Sequence, residues 1–312
     1  MTSQKIIITG AAGLIGQNLI TRLKGQPEYE LIGIDKHPRN CEIFRELHPE
    51  ITLIEADLAE PGDWADVFSG ADCVVINHAQ IGALTEQPFT RNNLTATEHV
   101  LAAMKLHKVD YGVHISSSVV NSIADDFYTQ SKTAQEAMVL ASGIPVVVLR
   151  PTLMYGWFDR KHLGWLSRFM KRSLVFPVPN WGKYIRQPLY AGDFCDVIIS
   201  CIKRPRPGEI HDISGQEKIY YIDLIKMLKK ASGGRSMIIY IPFSVFWILL
   251  KIYALFSSEP PFTTKQLEAL VIPEEFDITD WPGIFGVSAT STQDALNETY
   301  SHPVYSKPVL EF

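Results

Sequence analysis

The sequence predicts an α/β protein built on a doubly wound parallel sheet, with a smaller and mostly C-terminal lobe. In the first half, short apolar runs alternate with helix-period segments, which is the pattern of parallel strands covered on both faces. The run at 5–8 leads directly into a glycine-rich turn, and beyond residue 150 the chain becomes richer in proline and aromatic residues. We therefore expect a sheet domain over 1–150, rejoined by 187–215, and a second lobe over 151–186 and 216–312.

The elements of the sheet domain follow each other in regular order. The strands are expected at 5–8, 31–35, 51–56, 72–77, 112–116 and 146–149, and the helices between them at 14–23, 41–47, 64–68, 92–107 and 128–141. Ligands of such sheets bind beyond the carboxyl ends of the strands. That edge is where several polar or small residues fall, namely Gly10, Asp35, Asp57, Asn77 and 116–118.

Composition excludes several classes of function. A hydrophobic fraction of 46% is that of a folded globular protein, and a net charge of −5 gives no electrostatic reason to expect a nucleic-acid partner. The four cysteines show no C-x-x-C spacing, which favours free thiols in a reducing compartment. The nine histidines show no H-E-x-x-H, so no metal site is expected. The first residues lack the pattern of a signal peptide, which predicts a cytoplasmic protein.

The stretch from Thr9 to Gly16 reads T-G-A-A-G-L-I-G and predicts a phosphate-binding turn. Gly10 permits a tight turn, Gly13 lets the backbone approach a pyrophosphate, and Gly16 lets helix and strand pack closely. The following helix offers unpaired N–H groups and partial positive charge at its N-terminus.

Asp35 ends the next strand, about 20 residues after the glycines, where an acid bonds the ribose hydroxyls of an adenosine. Its carboxylate would repel a 2′-phosphate, which Lys36 and Arg39 only partly offset. We therefore expect NAD as the cofactor rather than NADP.

Tyr128 and Lys132 stand four residues apart in a predicted helix and therefore on one face. A phenol ordinarily titrates at about 10, too high for a base at neutral pH. A nearby ammonium favours the phenolate, and Lys132 would supply it. The hydroxyl that bonds a substrate oxygen is expected from Ser117, with Ser118 as the second candidate.

The segment 237–256 is almost wholly apolar and raises the question of a membrane. We expect a strand at 237–241 and, restarted by Pro242, a helix of about 13 residues, too short to span a bilayer. Two alternatives stay open, a helix packed on the protein, which we favour, or contact with a membrane surface through 242–256. On the second alternative the protein would be peripheral to a membrane.

Taken together, the motifs resemble an extended short-chain dehydrogenase/reductase of the NAD-dependent epimerase/dehydratase family, which acts on nucleotide sugars. The likeness covers nearly the whole chain, at 9–16, Asp57-Leu58, 93–97, 115–120, Tyr128/Lys132, 149–156, 186–193 and 285–287. It implies that the sheet domain is a Rossmann-type NAD-binding domain and that the other lobe binds substrate.

Site residues are carried over from this resemblance position by position. It implies that Tyr128 takes a proton from a sugar hydroxyl, Lys132 holds the nicotinamide ribose, and Ser117 bonds the reacting oxygen. Substrate contacts are implied for Ser118 and for Arg186, which matches a position that clamps the nucleotide diphosphate. The implied cofactor contacts are Gly10, Ala12, Gly13, Leu14, Ile15, Gly16, Asp35, Lys36, Asp57, Leu58, Asn77, Ala79, Asn93, Ser116, Tyr128, Lys132 and Pro151.

One departure from the family pattern bears on the reaction. Dehydratases of the family carry an Asp-Glu pair after the catalytic hydroxyl residue, and the decarboxylases keep a glutamate there. Ser118 and Val119 occupy these positions here, and neither side chain does acid–base work at neutral pH. We therefore expect an epimerase, acting at C4 of a nucleotide-linked hexose through a transient ketone.

Alternatives to the epimerase stay open. A reductase or dehydrogenase of the same superfamily would act on a ketone or alcohol, and the apolar segment would suit a lipid-linked sugar. A non-catalytic dinucleotide-binding sensor or assembly subunit would share the fold, since fold does not fix function. Two exposed helices packing together would make a homodimer.

Overall fold

The computed structural model describes residues 3–123, 125–256, 264–273 and 275–311, and its centre is a parallel sheet. Within these residues seven strands pair in the order β11-β6-β5-β4-β1-β2-β3, and every pair is parallel. They are β1 Gln4–Thr9, β2 Tyr29–Asp35, β3 Thr52–Glu55, β4 Cys73–Ile76, β5 Tyr111–Ile115, β6 Val146–Pro151 and β11 Ile210–Ile213. The strand order reverses between β1 and β4, which places a binding crevice at their carboxyl ends.

Short strands outside the central sheet form three two-stranded ribbons. They are β7 Met154–Tyr155, β8 Val175–Pro179, β9 Ile185–Arg186, β10 Leu189–Tyr190, β12 Ile219–Tyr220 and β13 Met237–Ile241. β10 pairs with β7, β12 with β9, and β13 with β8. The strand expected at 237–241 is confirmed at those bounds.

Helices flank the sheet and build the second lobe. They are α1 Leu14–Leu23, α2 Pro38–Leu47, α3 Gln87–Phe89, α4 Ala96–Leu106, α5 Phe127–Ala141, α6 Leu163–Arg172, α7 Ala191–Lys203, α8 Tyr221–Ser232, α9 Phe243–Phe256, α10 Thr264–Val271, α11 Trp281–Phe285 and α12 Thr292–Ser301. Two expected helices differ in form. Residues 63–68 are a 3₁₀ helix, and 90–95 wind as a π-helix before α4 begins.

Each face of the sheet carries its own apolar core, as expected for strands buried on both sides. Side chains of β1 alternate between them, since Ile6 and Ile8 join α1 and α7 on one face while Ile7 joins α4 on the other. All three are fully buried. The predicted Rossmann-type fold is confirmed.

A third core lies between α6, α8 and α12 and holds the second lobe together. Segments from the end of the chain also reach the sheet side: Trp281 and Phe285 of α11 pack into the core under α1 and α7, and Leu310 packs with Trp157 and Phe158. The division of the chain into two lobes stays a prediction. Among the described residues, no helix is long and apolar enough to cross a membrane.

Candidate active site

The turn after β1 has the geometry that a bound diphosphate requires. Gly10 has φ +64°, and a Cβ there would lie 3.0 Å from the Cα of His78. At Gly16 a Cβ would lie 2.5 Å from the carbonyl oxygens of Gly10 and Ala11, so both positions demand glycine. Gly13 caps α1 without a side-chain hydrogen bond, and the first amides of α1, at Leu14 and Ile15, stay available to an anion.

Asp35 lies at the end of β2, beside this turn. Its Oδ2 accepts a hydrogen bond from the backbone N–H of Ala12 (2.9 Å), and its Oδ1 accepts one from His37 N–H (3.0 Å). Burial raises the pKa of the carboxyl, and the backbone hydrogen bonds act in the opposite direction. The side chain of Lys36 turns to Asp57 (3.2 Å). The edge beside the glycine turn therefore presents a carboxylate, which fits ribose hydroxyls better than a 2′-phosphate.

Asp57 follows β3 and is held by several donors. Arg91 lies 2.6 Å from its Oδ2, and the N–H of Ala59 donates to its Oδ1 (3.0 Å). Burial acts to raise the pKa of Asp57, but the bonds from Ala59, Arg91 and Lys36 outweigh it and hold the pKa below its usual value. Leu58 beside it is buried in the sheet core. Asp57 is thus a fixed anion at the carboxyl end of β3.

The phenol of Tyr128 lies close enough to the hydroxyl of Ser117 for that hydroxyl to lower the pKa of the phenol, and the two groups form the centre of the predicted catalytic set. Tyr128 lies in the first turn of α5, and its ring packs against Phe89 with 6.5 Å between centroids. Burial raises the pKa of the phenol, the Ser117 hydroxyl lowers it, and Asp126 raises it, with a net shift upward. Formation of the phenolate therefore requires a nearby cation.

Lys132 lies one helical turn further along α5 and is almost completely buried, at 1% exposure. Its Nζ donates to the carbonyl oxygen of Ile115 (3.0 Å) and to Oε1 of Gln135 (2.5 Å). Burial lowers the pKa of this ammonium to about 7, against the opposing effect of the Glu136 carboxylate. Within the described residues these two bonds leave one ammonium hydrogen for a ligand.

Sequence reasoning missed the polar chain behind Lys132. Gln135 donates from Nε2 to the hydroxyl of Thr97 (2.8 Å), and Thr97 donates to the carbonyl oxygen of Asn93 (2.6 Å). Nε2 of His78 also lies 3.0 Å from that hydroxyl. The hydroxyl of Thr97 therefore joins Gln135, His78 and Asn93.

On its other side, His78 reaches the strand that carries the glycine turn. Its Nδ1 lies 2.9 Å from the hydroxyl of Thr9. Burial, together with smaller effects of Lys132 and Lys36, lowers the pKa of His78 to about 3, so the ring is neutral. One buried chain therefore joins Lys132 to Thr9. The spacing of Lys132 and Gln135, three residues apart on one helix, was the available sequence signal.

Ser116 uses its hydroxyl within the protein, and its contact with the cofactor stays a prediction. Its hydroxyl donates to Oε2 of Glu136 (2.5 Å), which also accepts from Nε of Arg150 (3.0 Å). Burial acts to raise the pKa of Glu136, but the bonds from Arg150 and Ser116 outweigh it and hold the pKa low. The Ser116 hydroxyl is thus committed to an ion pair between α5 and β6.

The remaining predicted cofactor residues lie around the same edge. Asn77 donates from Nδ2 to the carbonyl oxygen of Gly10 (3.1 Å). Asn93 donates to the hydroxyl of Ser131 (2.9 Å). Ala79 is exposed at the rim, and Pro151 is buried at the end of β6. The glycine turn, Asp35, Asp57 and the Tyr128 group thus border one crevice.

The two predicted substrate residues are placed apart from each other. Ser118 begins the 3₁₀ turn 118–121 directly after Ser117. Arg186 lies in β9 of the second lobe, where it donates to the carbonyl oxygens of Ile272 (2.8 Å) and Leu270 at the end of α10. A ligand phosphate at Arg186 would have to compete with these carbonyls.

Comparison with known proteins identifies the family. A sequence model of the NAD dependent epimerase/dehydratase family matches residues 6–214, more than half of the chain. The chain belongs to this family. The expected membership, the enzyme class and NAD as the family's cofactor are thereby confirmed.

The relatives of this chain include both dehydratases and epimerases. A dTDP-glucose 4,6-dehydratase of Actinoplanes sp. is 25% identical, with 74% of this chain and 82% of the relative covered. An uncharacterized UDP-glucose epimerase of Bacillus subtilis is also 25% identical, with 74% and 83% covered. The solved UDP-glucuronic acid 4-epimerase of Bacillus cereus, in complex with NAD, aligns with a TM-score of 0.76 at 22% identity, covering 96% of this chain and 98% of that one.

Proposed function

We propose that this family member is an NAD-dependent epimerase of a nucleotide-linked sugar, acting at C4 of a hexose through hydride transfer and a transient ketone. The observation that carries the proposal is the placement of Tyr128 beside Ser117 and one helical turn from the buried Lys132, with no acid at 118 or 119. Two relatives support it, the UDP-glucose epimerase and the UDP-glucuronic acid 4-epimerase, the latter also solved with UDP-glucuronic acid and NAD.

Each residue of the catalytic set has a distinct role in this reaction. Tyr128 accepts the proton of the sugar hydroxyl and returns it when the hydroxyl forms again. Ser117 donates to the same oxygen, and the ammonium of Lys132 stabilises the phenolate. Bound NAD supplies hydride acceptor and donor chemistry. The glycine turn and Asp35 would hold it at the crevice, together with the cofactor contacts implied by the resemblance.

The acids near Tyr128 argue against a dehydratase, although dehydratases are among the relatives. Elimination of water from the sugar needs a further acid and base beside the ketone. Asp126 instead caps α5, accepting from Thr129 N–H (2.9 Å), and Asp125 accepts from Gln130 (2.5 Å) in an exposed turn. Both carboxylates are therefore engaged at the surface.

Substrate recognition is proposed for Arg186 and Ser118. A guanidinium suits a diphosphate because it presents paired donors. The contacts of Arg186 with the carbonyls of Ile272 and Leu270 lie where α10 approaches β9, so α10 would shift as the nucleotide binds.

Sugar analysis on purified protein tests the proposal. Native mass spectrometry should show retained NAD, and incubation with a UDP-hexose should interconvert its 4-epimers. Tyr128→Phe should lower turnover by about a thousandfold while NAD stays bound. Tyr29→Phe, which changes a phenol at the amino end of β2, opposite the crevice, is the matched control and should act as wild type.

Three results would contradict the epimerase. Release of water with a 4-keto-6-deoxy product would show a dehydratase. Consumption of NAD(P)H only on addition of a ketone would show a reductase. Bound NAD without turnover of any nucleotide sugar would point to a lipid-linked substrate or a sensor.

A homodimer is proposed through α4 and α5. The exposed side of α5 carries a stripe of small side chains, Thr133, Ala134, Ala137 and Ala141, beside Leu140, and α4 exposes Leu106 at 73%. Small residues let two helices approach closely. Ala137→Glu should convert a dimer to a monomer in analytical ultracentrifugation, and a wild-type monomer would contradict this assembly.

A further inference from the structure

Helix α9 exposes a continuous apolar stripe. Its outward side chains are between 46% and 52% exposed and recur at helical spacing on one face, namely Val245, Ile248, Leu249, Ile252 and Tyr253. We call this set the α9 stripe. Its opposite face includes the buried Phe246, which fixes the helix on the second lobe. Contiguous exposed apolar surface of this kind marks an interaction site.

The turn before α9 adds an aromatic pair beside the stripe. Trp181 is 64% exposed, and its ring stacks on Tyr240 with 5.1 Å between centroids. Trp181 has φ +61°, between Asn180 at +48° and Gly182 at +65°. For non-glycine residues this backbone region is strained. Asn180 also accepts from the N–H of Phe243 (3.2 Å), so the turn is tied to the start of α9.

The strained backbone at Trp181 holds a tryptophan ring at the surface of the protein. A tryptophan held in a strained conformation gains nothing from burial here, since most of its ring faces solvent. Tryptophan and tyrosine are enriched where protein meets the boundary between lipid and water. The Trp181–Tyr240 pair beside an apolar helix is thus arranged as membrane-interface anchors are.

The charge of the surrounding chain is strongly one-sided. Two stretches, 160–192 and 224–256, contain no aspartate or glutamate, yet they hold twelve of the 29 basic side chains, namely Arg160, Lys161, Arg168, Lys171, Arg172, Lys183, Arg186, Lys226, Lys229, Lys230, Arg235 and Lys251. The other residues of the chain carry 17 basic side chains and all 34 acidic ones. A protein of net charge −5 thus concentrates its positive charge in these two stretches.

Pairing of β8 with β13 brings the two stretches together. Met237 lies opposite Val175, with exposed Arg172 and Arg235 just before these strands. Exposed Lys183 follows Trp181 at the other end of β8, and Lys251 lies on α9 itself. Lys183 and Lys251 therefore border the apolar surface, whereas Arg172 and Arg235 lie at the far end of the β8–β13 ribbon. One acid adjoins α9, because Glu268 of α10 accepts a hydrogen bond from Trp247 (2.9 Å).

The charge around the α9 stripe and the length of α9 indicate which kind of partner binds this surface. A second copy of the chain would bring the same positive surface against itself, which is unfavourable. With 14 residues, α9 is about 21 Å long, shorter than the roughly 30 Å of a bilayer core. We propose that the α9 stripe and the Trp181–Tyr240 pair dock this protein on the surface of a membrane that contains anionic lipids, independently of the reaction it catalyses.

Vesicle flotation of the purified, NAD-loaded protein tests the proposal. The wild type should float with phosphatidylcholine vesicles that contain phosphatidylglycerol, and weakly with phosphatidylcholine alone. High salt should weaken binding. Ile248→Asp with Ile252→Asp should lower the affinity at least about tenfold. Lys183→Gln with Lys251→Gln should lower it about fivefold for each charge removed.

A charge-matched control separates the stripe from a general change in charge. Leu84→Asp with Ile278→Asp adds the same two charges at side chains exposed elsewhere, and it should float as wild type does. The proposal is overturned if the wild type stays unbound with the anionic vesicles, or if the Ile248/Ile252 variant floats equally well. It is also overturned if ultracentrifugation shows that the stripe joins two copies and that vesicles do not compete.

Discussion

The ammonium nitrogen of Lys132 lies 2.5 Å from the amide oxygen of Gln135, three residues further along α5. A buried cation without hydrogen-bond acceptors would lose its proton. Gln135 and the carbonyl of Ile115 supply those acceptors, and Gln135 is itself fixed by Thr97. Gln135 therefore positions Lys132, and in the proposed reaction it acts through that lysine.

Substitution of Gln135 should move the alkaline limb of the pH–rate profile. Lys132 must be charged to favour the phenolate, and its pKa of about 7 means that the charged fraction falls as pH rises through that value. Gln135→Leu removes an acceptor, so the limb should move about one pH unit lower. Gln135→Glu adds a negative charge and should move it higher.

The measurement is kcat/KM against pH for both variants. Gln130→Leu, on the exposed side of the same helix, is the control and should keep the wild-type profile. A uniform loss of rate with an unmoved limb would show that Gln135 only supports the fold.

Ser117 and Ser118 form a second test, because they are chemically identical neighbours with different contacts. Ser117 lies beside Tyr128, whereas Ser118 begins the following turn. Ser117→Ala should lower kcat about a hundredfold, the usual effect of removing a donor to a reacting oxygen. Ser118→Ala should change KM more than kcat. Steady-state kinetics on the nucleotide sugar measures both, and equal losses would remove Ser117 from its assigned role.

Asp35 should determine the choice between NAD and NADP. Its carboxylate is held by the N–H groups of Ala12 and His37, while Lys36 is directed to Asp57. Asp35→Asn keeps an oxygen acceptor but removes the charge, so relative affinity for NADP should rise about tenfold. Asp57→Asn, which alters an anion at the carboxyl end of β3, should weaken both dinucleotides alike. Fluorescence titration of the reduced cofactors gives the ratio, and an unchanged ratio contradicts the assignment.

Much of the fold could be predicted from the sequence because it depends on local pattern. The apolar run at 5–8 predicts β1, the three glycines predict the turn after it, and Asp35 marks the end of β2. The strand 237–241 and the helix after Pro242 were likewise found from periodicity and a helix breaker.

The parts of the site that sequence reasoning missed depend on tertiary contacts. Gln135, Thr97 and His78 come from three different elements, and no local pattern indicates that they meet behind Lys132. Ser116 was assigned to the cofactor from its position, yet the structure pairs its hydroxyl with Glu136. The position of each residue along the chain predicts at which edge of the sheet it lies. Its hydrogen-bond partners can be identified only in the folded structure.

Because of His48, the free energy of unfolding should decrease as the pH falls. It is fully buried at the end of α2, its ring packs on Phe44 and Tyr305, and neither ring nitrogen has a hydrogen-bond partner among the described residues. Burial, with a smaller effect of Lys24, lowers its pKa to about 4 from the usual 6.5. Between these values the unfolded chain takes up a proton that the folded chain does not, so stability is full above pH 6.5 and is lost as pH falls toward 4.

His48→Leu should remove this contribution without breaking a hydrogen bond. We expect the free energy of unfolding, measured in urea, to be equal or higher at neutral pH, and its slope between pH 6.5 and 4 to decrease by up to about 1.4 kcal/mol per pH unit. His162→Leu is the control, because an exposed imidazole is solvated alike in the folded and unfolded chain. If the two variants keep the same slope, the acid sensitivity arises elsewhere, and the neutral, buried state of His48 is refuted.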